Sequence, residues 1–174
     1  MTERQEFKVL QTYDGFELRE YMPCVIAEVR VSAEYSTASS GAFSSLFNYI
    51  SKGNKSSQKI AMTAPVITAQ KADTSESAYW YVSFVMPSGS TIGHMPHPND
   101  SQVELRELEA ETCVAQSFRG RATEELSRKI VKELRASASK VNIALSDETR
   151  ICRFDPPFKP GLLQYNEIVI PAHI

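Results

Sequence analysis

An internal duplication constrains the fold of this chain more than any other feature of its sequence. Several segments of the first half recur in the second half, in the same order and at spacings of roughly half the 174 residues. The paired segments include Phe16–Glu20 with Val103–Glu107, Lys59–Pro65 with Arg150–Pro156, and Val82–Pro87 with Asn166–Pro171. Because a shared order at one spacing indicates a repeated unit, we expect two similar halves, about residues 7–87 and 103–171.

The opening strands of the first half follow from alternation and turn chemistry. Phe7–Thr12 alternates and is predicted to be a strand, and Asp14–Gly15 is a hairpin turn signal. Phe16–Tyr21 and Cys24–Val31 are predicted to form one longer strand that bends at Pro23.

The first helix is predicted by an apolar face at helical spacing, formed by Phe43, Leu46, Phe47 and Ile50. We expect it to begin near Thr37, with a cap from Ser36, Thr37 or Ser39. Gly53 is expected to end it in the left-handed conformation. The second half offers a matching helix, capped by Thr123, with an apolar face formed by Leu126, Ile130, Leu134 and Ala138.

A short apolar stretch, Lys59–Val66, lies between the first helix and a predicted strand at Tyr79–Met86. Its length and its flanking turn residues favour a buried strand. Pro65 has no backbone N–H, so the strand is expected to reach an edge, a bulge or a turn there. The polar segment Ala69–Ala78 and the proline-containing segment Pro87–Asp100 are expected to be irregular.

Each half therefore has the order strand, strand, helix, strand, strand, which predicts an α+β fold. We expect antiparallel strands of both halves to form one curved sheet or distorted barrel, flanked by the two helices. The whole chain, residues 1–174, is expected to be one domain.

The composition excludes several classes of function. The net charge of −2 and the scattered basic residues do not favour nucleic-acid binding. The longest apolar runs are too short for a membrane span, and the polar N-terminus lacks the core of a signal peptide. Cys24, Cys113 and Cys152 are too far apart in sequence to suggest a disulfide scaffold or a zinc site. We expect a monomer in the cytoplasm.

Several motifs along nearly the whole chain resemble those of the SOUL heme-binding proteins. They are Phe16–Tyr21, Phe43 to Ile50 followed by Gly53-Asn54, Ile60–Val66, Phe84–Pro87, Phe118–Gly120, Asp155–Pro157 and Asn166–Ile168. The resemblance implies a pseudo-twofold α+β barrel that binds heme or a related tetrapyrrole in an apolar groove beside the first helix. It also implies likeness to the small-molecule-binding domains of certain transcription regulators.

The candidate ligand residues lie in and around that first helix. Phe43 and Phe47 are four residues apart, so a flat macrocycle could lie against both rings. Spacing alone favours a core position for them, whereas the resemblance favours the groove. Met62 belongs to the motif that carries the resemblance and is taken as a further cofactor-binding residue. Lys159, in a proline-stiffened loop, could meet a heme propionate, although a solvated surface lysine is the favoured interpretation.

Iron ligation is not supported by the sequence. Some family members have a histidine at the position that Glu20 occupies here, and a carboxylate is a poor partner for heme iron. His94 and His97 share one loop and are candidate metal ligands, although two solvated histidines are the favoured interpretation.

No pattern in the chain indicates an enzyme. The serines at the start of the first helix do not form a nucleophile elbow, and the glycines are dispersed instead of forming a phosphate-binding loop. We expect a non-enzymatic carrier or buffer of heme or another tetrapyrrole. The alternative is an interaction module, or a sensor of small hydrophobic ligands, without physiological heme.

Overall fold

The computed structural model describes residues 2–32, 35–70 and 79–174 of the chain, and the side chains of residues 35–40 are outside the described part. The expected caps Ser36, Thr37 and Ser39 therefore lie outside what is described. The same holds for residues 71–78 of the predicted irregular segment.

The described residues form two α-helices and a set of short and long strands. The helices are α1 (Tyr35–Ile50) and α2 (Glu124–Lys140). The strands are β1 (Glu3–Arg4), β2 (Phe7–Tyr13), β3 (Phe16–Tyr21), β4 (Cys24–Val31), β5 (Thr63–Ala64), β6 (Val66–Gln70), β7 (Trp80–Val85), β8 (Val103–Leu108), β9 (Glu111–Arg119), β10 (Ala144–Leu145), β11 (Thr149–Arg153) and β12 (Tyr165–His173). No helix of the described part is long and apolar enough to cross a bilayer.

The strand order of the main sheet confirms the predicted duplication. The antiparallel order is β2-β3-β9-β12-β11-β6-β7-β4-β8, with β10 attached to β12. The first-half strands β3, β4, β6 and β7 correspond to β8, β9, β11 and β12. When each strand from β3 to β8 in this order is replaced by its counterpart, the result is the same order read from the other end. The pseudo-twofold axis therefore passes between β6 and β11, and β2 is an addition at one edge.

Both helices pack on the same face of this curved sheet. Leu46 of α1 packs with Val82 of β7, and Leu134 of α2 packs with Ile151 and Ile168. Across the sheet, Val82, Thr68, Ile151 and Ile168 are directly opposite one another in register. One row of side chains thus supports both helices, and alternate residues such as Ile67 and Cys152 form a separate cluster on the other face.

The strand predicted to bend at Pro23 is instead two strands at opposite sides of the sheet. β3 pairs with β2 and β9, whereas β4 pairs with β7 and β8. Because proline has no N–H to donate, the ladder stops at Met22–Pro23 and the chain passes to the other side. Strand β3 of the first half therefore pairs with β9 of the second half, and β8 of the second half pairs with β4 of the first half.

The prediction of one buried strand at Lys59–Val66 is wrong. The hydrogen-bonded pairing with the main sheet begins only after Pro65. Residues 60–62 are irregular, and Thr63–Ala64 forms a short parallel pair with β1. The main-sheet strand is β6, which pairs with β11 and β7. The counterpart of β11 is therefore β6 and not the Lys59–Pro65 segment that resembles it in sequence.

The end of α1 also differs from the prediction in one detail. The residue with positive φ is Lys52, at 83°, and not Gly53. Gly53 instead brings its backbone close to the helix, because its N–H donates to the Asn48 carbonyl at 2.8 Å. A Cβ on Gly53 would lie 2.5 Å from that carbonyl oxygen, so this position requires glycine for space.

Two glycine-to-alanine substitutions should have opposite effects on the free energy of unfolding. Gly53→Ala should lower it by ~1–3 kcal/mol, since the new methyl group overlaps backbone atoms of α1. Gly41→Ala, inside α1 with open space around its Cβ position, should raise it by ~0.5–1 kcal/mol. Urea unfolding followed by circular dichroism measures both, and equal changes in the two variants would contradict this account of Gly53.

Candidate ligand-binding groove

The predicted apolar face of α1 divides into a buried part and an exposed part. Leu46 and Ile50 are buried, with Leu46 at 0% exposure. Phe43 is 37% exposed and Phe47 is 51% exposed. Their rings are nearly parallel, with centroids 5.9 Å apart and planes at 12°, and Phe43 also meets the edge of Phe84. The two phenylalanines therefore form a flat apolar surface beside the core.

This surface is one wall of a large groove with a volume of about 700 Å³. The opposite wall comes from the segment that precedes α2 and from the loop that follows β11. The lining residues are Thr2, Phe43, Phe47, Met62, Thr63, Ala64, Val66, Arg121, Ala122, Arg153, Phe154, Asp155, Pro156, Pro157, Gln164 and Asn166. Most of them present apolar side chains, so the groove would favour an apolar ligand.

The floor of the groove lies at the centre of the sheet. Val66 of β6 is directly opposite Arg153 of β11, which is in turn opposite Asn166 of β12. Because α1 and α2 each cover one half of the sheet, the described residues leave open the strip between them, over the pseudo-twofold axis.

Most polar groups in the groove are held by neighbouring atoms. Arg153 donates to Thr68 Oγ1 at 2.9 Å and to the Ala122 carbonyl at 3.2 Å. Asn166 Nδ2 donates to the Gly120 carbonyl at 2.7 Å, and Gln164 Nε2 donates to the Lys159 carbonyl at 3.0 Å. These bonds fix the wall opposite α1.

The Asp155 carboxylate is fixed in the same way. It accepts the backbone N–H of Tyr165 at 2.7 Å and Lys159 Nζ at 3.0 Å. The Tyr165 N–H, together with the charge of Lys159, holds the pKa of Asp155 below its ordinary value. Lys159 does not line the groove, since its ammonium group points to this carboxylate.

Arg121 is the cation on the exposed rim of the groove. Its side chain is exposed, and it has no ion-pair partner among the residues that the structure describes. The carbonyls on either side of it, of Gly120 and Ala122, accept hydrogen bonds from Asn166 and Arg153. Sequence reasoning named Lys159 as the candidate cation, since nothing local to the sequence shows which cation faces the groove.

The candidate metal ligands lie away from the groove. His94 and His97 are both exposed in the loop before β8, where His94 Nδ1 lies 2.7 Å from Thr91 Oγ1. Glu20, on β3, does not line the groove either. Within the described ranges, no three His, Cys, Asp or Glu residues are grouped to hold a metal ion. Met62 supplies the sulfur atom of the lining.

The opposite face of the sheet carries buried ion pairs that sequence reasoning missed. Arg19 of β3 donates two hydrogen bonds of 2.9 Å to Glu167 of β12, and both residues are buried. Arg150 pairs with Glu111 and Glu148 on the same face. The alternation of polar and apolar residues does not indicate which charged residues lie next to one another. Only the strand pairing reveals these ion pairs.

The cysteines of β9 and β11 lie on this face of the sheet. Cys113 and Cys152 are buried within the apolar cluster there. Burial raises the pKa of Cys113 to about 12 and also raises that of Cys152. Both thiols are therefore inert at neutral pH.

Truncation of two neighbouring residues of α1 should lower the free energy of unfolding by different amounts, because one lies in the core and the other borders the groove. Leu46→Ala should lower the free energy of unfolding by ~2–5 kcal/mol, because it leaves a cavity in a sealed cluster. Phe47→Ala removes a ring that is half exposed and should cost less than ~1.5 kcal/mol, a fraction of the value for a fully buried ring. Urea unfolding of the two variants gives the comparison, and equal losses would place Phe47 in the core.

Comparisons with known proteins agree on the fold and the family. The family model described as SOUL heme-binding protein matches residues 2–171. Heme-binding protein 1 of Xenopus laevis is 26% identical over 148 residues, which cover 84% of this chain and 78% of that protein. The chain is also similar in structure to the EcmrR C-terminal domain, with a TM-score of 0.67, 15% identity, and coverage of 91% of this chain and 96% of that one.

A further similar structure is that of a protein bound to tetraphenylphosphonium. Its TM-score is 0.57 at 7% identity, with coverage of 91% of this chain and 93% of that chain. At such low identity these structures bear on the fold alone. The match to the family model over nearly the whole length decides the family: the chain belongs to the SOUL heme-binding protein family.

Proposed function

We propose that this protein binds heme or a related tetrapyrrole non-covalently in the groove beside α1, as a carrier or buffer and not as an enzyme. The observation that carries the proposal is the pair of stacked, partly exposed rings, Phe43 and Phe47, on the wall of an apolar groove of about 700 Å³. This volume lies within the range of ~300–1,000 Å³ that small-molecule sites occupy.

The residues present fit the chemistry of a tetrapyrrole. Its macrocycle is flat and apolar, which suits the parallel rings of Phe43 and Phe47, with Met62 as a further adaptable apolar contact. Its carboxylates suit a groove that carries Arg121 and Arg153. Among the lining residues that the structure describes, the one acidic side chain, Asp155, is already paired with Lys159.

Contact with the macrocycle, and not iron ligation, is the proposed source of affinity. None of the described lining residues is a histidine or a cysteine, and a thioether such as that of Met62 is the one soft donor in the lining. Heme is therefore treated as cargo, and a metal-free porphyrin should bind in the same groove.

A second candidate function is a module that binds a protein partner or senses a different hydrophobic molecule. It is favoured by the exposed apolar loop that follows the groove wall, where Phe158 and Leu162 are each 88% exposed. Exposed apolar side chains of this size next to a groove are typical of interaction surfaces.

Hemin titration tests the first proposal. Micromolar hemin should shift the Soret band without the split bands of a bis-histidine site, and metal-free porphyrin should bind with similar affinity. The double change Phe43→Ala and Phe47→Ala should weaken binding at least about tenfold, or ~1.4 kcal/mol, because it removes most of one wall.

The matched control is the double change His94→Ala and His97→Ala, which should leave the affinity unchanged, since both residues lie outside the groove. If neither hemin nor porphyrin binds at micromolar concentration, the tetrapyrrole proposal is lost. In that case, recovery of a protein partner that requires Phe158 would support the second candidate.

A further inference from the structure

The charged side chains of the groove are distributed unevenly. This distribution restricts the chemistry of the ligand beyond what the apolar walls of the groove require. Arg121 and Arg153 are on the wall and floor opposite α1, whereas Asp155 is the one carboxylate among the described lining residues. Asp155 is already bonded to the Tyr165 N–H and to Lys159. A ligand in the groove therefore meets Arg121, a cation that has no ion-pair partner among the residues that the structure describes.

Arg121 is presented to the groove by a backbone that is fixed on both sides. The Gly120 N–H donates to the Gln164 carbonyl at 3.1 Å, and the Gly120 carbonyl accepts from Asn166. On the other side, the Thr123 N–H donates to the Arg121 carbonyl at 2.8 Å, just before α2 begins. The guanidinium group of Arg121 lies over Gly161: a Cβ on Gly161 would be 3.5 Å from Arg121 Nε.

Arg153 differs from Arg121 because its guanidinium is engaged. It donates to Thr68 Oγ1 and to the Ala122 carbonyl. Arg153 thus positions the Ala122 backbone beside Arg121. The two arginines have different roles: Arg153 supports the wall, and Arg121 faces the incoming ligand.

Lys159 is a poor alternative for contacting a ligand. Its Nζ lies 3.0 Å from Asp155 Oδ1, and the side chain is outside the lining. An anion that approached Lys159 would compete with a carboxylate already in place, whereas no described carboxylate is paired with Arg121. A guanidinium can also bind both oxygens of a carboxylate, which an ammonium cannot do with the same geometry.

We propose that Arg121 is the anion-binding residue of the groove, so that the ligand is a flat apolar molecule with a carboxylate on the edge that faces away from α1. The inference rests on the proposed function in that it concerns the same groove. It names the residue that selects among apolar molecules, and it applies to any ligand of this shape and charge.

Two matched pairs of probes test it. The first pair is 1-pyrenebutyrate and 1-pyrenebutanol, which share a flat apolar body and differ in the carboxylate. The second pair is protoporphyrin IX and its dimethyl ester. Each probe is titrated by fluorescence into the full chain and into Arg121→Ala, Lys159→Ala and Arg128→Ala. Arg128 is an exposed arginine of α2 outside the groove, paired with Glu124, and serves as the control for loss of one positive charge.

Arg121→Ala should weaken the carboxylate probes about three- to tenfold and leave the alcohol and the diester unchanged, as expected when one charge-assisted contact is lost. Arg128→Ala should change neither member of a pair by more than about twofold. Lys159→Ala, which leaves the Asp155 carboxylate without its cation, should weaken the carboxylate probes less than Arg121→Ala does. Arg121→Lys should recover part of the affinity, and added salt should weaken the carboxylate probes in the parent protein more than in Arg121→Ala.

The outcomes separate this inference from the proposed function. If the porphyrins fail to bind while Arg121→Ala weakens 1-pyrenebutyrate and not 1-pyrenebutanol, the anion-binding role stands and tetrapyrrole carriage falls. If the porphyrin and its diester bind equally well and Arg121→Ala affects no probe, the anion-binding role is overturned while carriage stands. A larger loss of the carboxylate probes in Lys159→Ala than in Arg121→Ala would also overturn the assignment to Arg121.

Asp155→Asn provides an independent test with the opposite sign. The amide oxygen can still accept the Tyr165 N–H, so the loop geometry is retained while one negative charge leaves the groove. Affinity for 1-pyrenebutyrate should rise about two- to fivefold, with no change for 1-pyrenebutanol. A fall in affinity for both probes, with unfolding unchanged, would show that Asp155 contacts the ligand directly and would contradict the proposed charge pattern.

Discussion

The antiparallel pairing of β6 with β11 is the interaction on which the rest of the structure depends. It joins the two halves at the pseudo-twofold axis, with Val66 opposite Arg153 and Ile151 opposite Thr68. Because strand residues alternate between faces, this register places the apolar rows beneath α1 and α2 on the same side. A shift of one residue would turn the supporting row of one half to the opposite face.

The groove is a geometric consequence of that arrangement. Each helix buries its apolar face on its own half of the sheet, and neither reaches the central strands fully. In the described part of the chain, long side chains and the loop after β11 border the strip over the axis. Phe43 and Phe47 remain partly exposed there, at a cost in apolar hydration that a bound apolar ligand would remove. The opposite face is closed by a buried pair between the halves, Arg19 with Glu167, whose bidentate geometry offsets the loss of water.

Local signals predicted much of the fold. The Asp14–Gly15 hairpin and the Thr123 cap of α2 were predicted correctly because their chemistry acts within a few residues. The prediction of one strand bent at Pro23 was wrong because strand partners far apart in sequence decide where β3 and β4 lie. The Lys59–Val66 strand was misplaced for a similar reason: composition marked an apolar stretch, whereas β11 and β7 could pair only with the backbone beyond Pro65.

The sequence by itself determined the repeated order of elements, the two amphipathic helices and the family, since periodicity and motifs are properties of neighbouring residues. Only the tertiary structure decided that Leu46 is sealed while Phe47, on the same predicted face, borders a groove. It also decided that Lys159 is paired with Asp155 and that Arg121 faces the groove. The physical reason is that burial and charge pairing depend on atoms brought together from distant segments, which helical spacing and loop composition do not specify.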